Sequence, residues 1–195
     1  MKSSYLRAGA ALACAVALSA CGGSDGQLLL GGTISGITKT GLVLTNNGGS
    51  DYALPVPGNP GVVSNWNFPN LISTDDRYNV EVKALPSNVE RCDIENPGGR
   101  AAYHVYTIYI TCILKTHALG GNVSNLKGEL ELVNGADRAV LQPGATSFNF
   151  TKIAEDAPYT VSVLRQPANQ TCTVSNGSGT MGTADVNNVA VTCTP

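Results

Sequence analysis

Charge is scarce in this sequence. Asp, Glu, Lys and Arg make up 13% of its 195 residues, about half the roughly 25% usual in soluble proteins. The basic residues are outnumbered, 12 against 14 acidic ones, for a formal net charge of −2. No cationic stripe is therefore available to meet a phosphate backbone, which argues against a nucleic-acid partner. Aromatic residues are few at 6%, and with two His and one Trp there is little material for imidazole or metal chemistry. After Ala17 no long apolar run occurs, whereas a membrane-crossing helix needs about 20 apolar residues. Glycine, with 22 residues, is what the chain has in plenty.

Residues 1–20 read as an export leader. Lys2 and Arg7 give a positive start, and Ala8 to Ala17 is an apolar run of signal-peptide length. Ordinary secretory cleavage is one reading, since Ala13-Cys14-Ala15 and Ala15-Val16-Ala17 both satisfy the small-x-small rule. The stretch Leu18-Ser19-Ala20-Cys21-Gly22 resembles the lipobox of bacterial lipoproteins. That resemblance implies diacylglycerol on the Cys21 thiol, cleavage before it, and attachment to a membrane through two or three acyl chains. Each buried CH₂ contributes roughly 0.8 kcal/mol, so such an anchor is nearly permanent. In Gram-negative lipoproteins an Asp after the Cys marks inner-membrane retention, so Gly22 favours the outer membrane. Residues 21–28 then form the lipidated Cys and a short polar, Gly-rich tether.

Loss of the leader removes Cys14, and the lipid occupies Cys21, leaving Cys92, Cys112, Cys172 and Cys193. An even number in an exported chain points to disulfides, and no CxxC spacing points to zinc or to a redox pair. Four Cys allow three pairings. An internal repeat selects among them. Leu30-Gly31-Gly32-Thr33-Ile34-Ser35 returns as Leu119-Gly120-Gly121-Asn122-Val123-Ser124, and Leu42-Val43-Leu44 as Leu130-Glu131-Leu132. Trp66-Asn67-Phe68 matches Phe148-Asn149-Phe150, and Tyr78-Asn79-Val80-Glu81-Val82 matches Tyr159-Thr160-Val161-Ser162-Val163. Each copy closes on a Cys pair, so Cys92–Cys112 and Cys172–Cys193 are the economical bridges. Closing loops of this size stabilises each copy by roughly 3 kcal/mol in the chain-entropy model. The first copy is about eight residues longer, and the excess falls most naturally in the Pro- and Gly-rich stretch from Pro55 to Asn65.

Alternation of apolar and polar residues in Tyr78–Lys83, Glu129–Leu132 and Tyr159–Val163 is that of strands with one buried face. Turn residues recur at Asn46-Asn47-Gly48-Gly49, Pro97-Gly98-Gly99, Asn134-Gly135, Pro143-Gly144 and Asn176-Gly177. No helical periodicity is sustained. The expected fold is all-β: two tandem small antiparallel β-sandwich domains over residues 29–113 and 119–195, joined by a semi-stiff link at 114–118. They should form an elongated pair with no large shared core. The order of Gly-Gly, Leu-x-Leu, aromatic-x-Phe and Tyr-x-Val-x-Val motifs is similar to that of prealbumin-like and immunoglobulin-like modules repeated in bacterial surface lipoproteins. This resemblance implies a fold and a location; its motifs are structural and carry over no active site.

Candidate chemistry is thin. Gly177-Ser178-Gly179-Thr180-Met181-Gly182 matches GxGxxG, but in an all-strand context it reads as a hairpin turn. His104 reads as a structural histidine near a strand start, in phase with Tyr106, Ile108, Ile110 and Cys112 facing the core. His117 falls in the link. Asp75-Asp76 and Glu155-Asp156 precede the Tyr-x-Val-x-Val strands and read as turn charge, with a weak cation site as the alternative. No metal ligand set, cofactor motif or catalytic triad is expected. On the last strand of the first copy, Tyr103, Val105, Thr107 and Tyr109 should face outward where the second copy has Ala184, Val186, Asn188 and Ala190. Tyr103 and Tyr109, with Trp66 nearby, are thus a candidate binding face, or else a contact with the second copy. The expectation is a non-enzymatic, lipid-anchored cell-envelope protein of structural, adhesive or assembly type, with an envelope protein as partner. The alternative is a lipoprotein that binds a small ligand or glycan on the tyrosine face.

Overall fold

The computed structural model describes residues 26–49, 51–57 and 62–195. The leader, Cys21 and most of the tether lie outside the described residues. Within them the chain forms strands and turns, with no helix.

The first unit contains β1 (Leu30–Ser35), β2 (Val43–Asn46), β3 (Tyr52–Ala53), β4 (Ser64–Asn67), β5 (Arg77–Ala84), β6 (Val89–Glu95), β7 (Gly98–Arg100) and β8 (Val105–Leu114). They form two four-stranded sheets, β4-β1-β8-β6 and β3-β2-β5-β7. After a short strand β9 (Thr116–His117), the second unit repeats the plan. Its strands are β10 (Leu119–Ser124), β11 (Leu130–Asn134), β12 (Asp137–Leu141), β13 (Ser147–Asn149), β14 (Ile153–Ala154), β15 (Pro158–Arg165), β16 (Thr171–Ser175), β17 (Ser178–Thr180) and β18 (Val186–Thr194). Its sheets are β13-β10-β18-β16 and β12-β11-β15-β17, the same order strand for strand. In each unit the inward residues of both sheets share one core. Leu30, Ile34, Trp66, Ile108 and Ile110 meet Leu44 and Val80 in the first unit. Leu119, Val123, Phe148 and Val189 meet Leu132 and Val161 in the second.

One pairing departs from the antiparallel expectation. β1 runs parallel to β8, and β10 parallel to β18, at the centre of their sheets. Parallel neighbours need a long crossover, and here the strands between the first and last of each unit, from both sheets, supply it.

These parallel pairs carry a bulge whose cause is in the Gly-Gly motif. From Leu30 to Gly32, β1 advances two residues while β8 advances three, from Val105 to Ile108. β10 and β18 repeat this from Leu119 to Gly121 and from Val186 to Val189. The backbones close in tightly at these points. A Cβ on Gly32 would overlap the Ile108 carbonyl oxygen, and one on Gly31 the Trp66 carbonyl oxygen. Gly121 meets Val189 and Gly120 meets Phe148 in the same way. Only a residue without a side chain fits there.

The disulfides are Cys92–Cys112 and Cys172–Cys193, as the repeat requires. Each joins directly opposed residues of neighbouring strands, β6 to β8 and β16 to β18. They therefore lie within one sheet, unlike the bridge between sheets of antibody domains. Two such bridges belong to a chain that folds in an oxidising, exported environment. No helix among the described residues is long and apolar enough to cross a membrane.

The extra length of the first unit lies mainly between β3 and β4. The chain takes 14 steps from Tyr52 to Trp66 and nine between the equivalent Ala139 and Phe148. The segment read as a link is paired at both ends. β8 continues to Leu114, and β9 pairs with β14, His117 opposite Ile153. The same bridge exists in the first unit, where Leu28 meets Ile72.

Gly32→Ala and Gly121→Ala should each cost about 2–3 kcal/mol in urea unfolding, because overpacking against backbone cannot relax. Gly182→Ala, where an added Cβ meets nothing within 4 Å, should stay within about 0.5 kcal/mol. Equal losses at Gly32 and Gly182 would refute the steric account.

Candidate functional site

The bulge in β8 decides which side chains reach its outer face. Val105 turns inward and is buried, while Tyr106, expected to face the core, is 52% exposed. The extra residue reverses the alternation that a regular strand would keep. Tyr103 and Tyr109 are exposed as expected, at 82% and 42%. Tyr109 lies between Thr33 of β1 and Glu95 of β6 in register, and the Tyr106 ring sits 6.0 Å from that of His104. The exposed set is thus Tyr103, Tyr106 and Tyr109. Their equivalents in the second unit are Ala184, Asn187 and Ala190.

Trp66 does not belong to this face. It is buried at 6% exposure, edge-on to Phe68 at 5.5 Å, and its indole N–H donates to the Thr33 carbonyl at 3.2 Å. A tryptophan on the inward phase of a short strand is worth more as core than as a platform. The cavity that reaches it, about 190 Å³ beside Tyr52 and Leu54, is below the roughly 300 Å³ where small-molecule sites begin.

His104 is the structural residue expected. Its Nδ1 accepts the Leu29 amide at 2.9 Å, as the Asp185 carboxylate accepts that of Ala118 at 2.8 Å in the second unit. Asp75 and Asp156 are equivalent corners, both with left-handed backbone, φ 69° and 67°. Their amides donate to the carbonyls of Ala101 and Met181. The acidic pairs therefore make turns, and among the described residues no group of three His, Cys, Asp or Glu is placed to hold a metal ion. The GxGxxG stretch is not a hairpin turn. Its residues Ser178–Thr180 form edge strand β17 against Pro158–Thr160, a role that Gly98–Arg100 play in the first unit.

His117 has a role that sequence reasoning missed. Its Nε2 meets the Glu155 carboxylate at 2.9 Å, and its Nδ1 faces Asp185 at 3.9 Å. Glu155 is only 4% exposed. Beside this pair the units are joined by polar contacts. The Lys115 carbonyl accepts the Glu155 amide, and its own amide donates to the Asn88 carbonyl. The Asn88 side chain, fully buried, donates to Thr38 at 2.7 Å and to Asp156 at 2.9 Å, while Lys39 pairs with Asp156 at 2.9 Å. The junction is therefore built from these groups and not from the tyrosines. Elsewhere, the hydroxyl and amide of Thr151 hold the Asp137 carboxyl below its ordinary pKa.

His117→Ala leaves the Glu155 carboxylate buried without its partner and should destabilise the second unit by about 2–4 kcal/mol. Adding Glu155→Leu should recover part of that loss. A neutral His117→Ala in thermal unfolding would show that the pair holds nothing.

In sequence comparisons no protein-family model and no curated protein matches this chain.

Proposed function

We propose that this chain is a lipid-anchored, non-catalytic protein of the cell envelope that works by surface contact through its first sandwich. Three features support the reading. The lipobox-like stretch ending in Cys21 supplies an anchor, with the outer membrane favoured in a Gram-negative cell. The tandem modules, similar in motif order to immunoglobulin-like and prealbumin-like repeats, supply a rigid spacer. The tyrosine face supplies the contact.

The tyrosine face is the observation that carries the proposal. Both units have one fold, yet Tyr103, Tyr106 and Tyr109 stand exposed where the second has Ala184, Asn187 and Ala190. Rings that the fold does without are free to serve binding, and tyrosine combines apolar area with a hydroxyl at little entropic cost. An envelope protein is the partner we favour.

Two measurements test this. Cys21→Ser should move the protein from the membrane to the soluble fraction, since the acyl anchor is lost; unchanged membrane association would rule out the anchor. Tyr103, Tyr106 and Tyr109 changed together to Ser should abolish crosslinking to the envelope partner. Stability should change by about 0.5 kcal/mol per exposed site at most. Undiminished crosslinking would remove the face from the proposal, and binding to a glycan array with no protein crosslink would reassign its partner.

A further inference from the structure

The duplication also isolates a second surface. In the first unit Arg77 of β5 and Arg100 of β7 are directly opposed across the strands. Tyr78, Val80 and Val82 face the core, so Arg77 and Asn79 lie on the outer side of the sheet. Like charges directly opposite each other destabilise a strand pair. Asp75 lies 3.3 Å from Arg100, and among the described residues no carboxylate pairs with Arg77. The second unit builds the same strand pair from Pro158 and Thr180. The arginines are therefore not required by the fold.

They border a cleft of about 390 Å³ lined by Asn47, Arg77, Tyr78, Asn79, Gly99 and Arg100, within the roughly 300–1,000 Å³ of small-molecule sites. Its frame is common to both units. The Asn46 carboxamide accepts the Asn79 amide at 3.0 Å, as Asn134 accepts that of Thr160 at 2.8 Å. Tyr78 lies over Gly99 as Tyr159 lies over Gly179, each hydroxyl 2.7 Å from where a Cβ would stand. Only the chemistry differs. Asn47, at the position of Gly135, gives its side-chain N–H to the Arg77 carbonyl at 2.9 Å, which leaves its carboxamide oxygen to accept. Asn79 gives its own side-chain N–H to Glu81 at 2.9 Å, with the same result.

We propose that this cleft binds an acidic saccharide. Two guanidiniums suit an oxyanion, which they grip through paired N–H donors. Two amide oxygens that can only accept would repel a bare anion, and instead take hydroxyl donors. A sugar carrying a carboxylate offers both. The proposal rests neither on the tyrosine face nor on the anchor.

The test titrates the purified full chain with trigalacturonate, maltotriose and inorganic phosphate, following the Arg Nε–H resonances by NMR. Trigalacturonate should bind saturably, shift Arg77 and Arg100, and weaken as salt is raised. Arg77→Gln with Arg100→Thr should lower its affinity roughly tenfold or more. Asn47→Gly, which copies Gly135, should lower it with an unchanged melting curve. No saturable binding, equal binding of maltotriose, or an unaffected double variant would overturn the proposal. Phosphate binding as tightly as trigalacturonate would overturn the saccharide assignment.

Discussion

At the centre of each sandwich a strand must pass between two neighbours that leave no room for a side chain. Gly31 and Gly32 meet that constraint in β1, and Gly120 and Gly121 in β10. The close approach accompanies the bulge in β8 and β18. The bulge in turn sets the phase of every residue on either side of it. Ile108, Ile110 and Cys112 turn inward after it, and Val105 before it. A regular strand would have buried Tyr106 and exposed Val105, so the exposure of Tyr106 beside Tyr103 and Tyr109 follows from a backbone constraint on the opposite partner.

Because the chain holds two copies of one plan, it separates what the fold needs from what it merely carries. Glycine pairs, opposed cysteines, Tyr over Gly, and an acceptor for the amide before the first central strand occur in both. Chemically unlike residues can fill one structural role, as His104 and Asp185 do. Exposed tyrosines and opposed arginines occur in the first copy alone. The copies are also not loose beads. Lys115 alone separates β8 from β9, and its two backbone groups bond to opposite units. Asn88, buried beside it, leaves its side-chain oxygen without a partner.

Much of this was legible in the residues. Alternation located β5, β11 and β15, since burial of one face imposes a period of two. The spacing of the repeated cysteines selected the bridges, because a duplicated unit must close on itself. His104 was recognisable as structural from its place at a strand start. Less legible were features created by pairing. The parallel alignment of β1 with β8, the burial of Trp66, the edge-strand role of Ser178–Thr180 and the grip of His117 on Glu155 all join residues distant in the chain. The exposed face was half visible, with Tyr103 and Tyr109 expected to point outward and Tyr106 expected to point inward. The arginine pair was not visible at all, for Arg77 and Arg100 become neighbours only through the β5–β7 register.

Local chemistry thus determined, by sequence alone, the all-strand fold, its duplication, its sulfur pairing and its exported character. Periodicity, turn residues and cysteine spacing are properties of short segments, and they survive without knowledge of neighbours. Tertiary structure decided the faces. Which tyrosine points outward, which charges stand together and which histidine is clasped depend on a bulge and on strand register. A shift of one residue in either moves a side chain to the other side of the sheet.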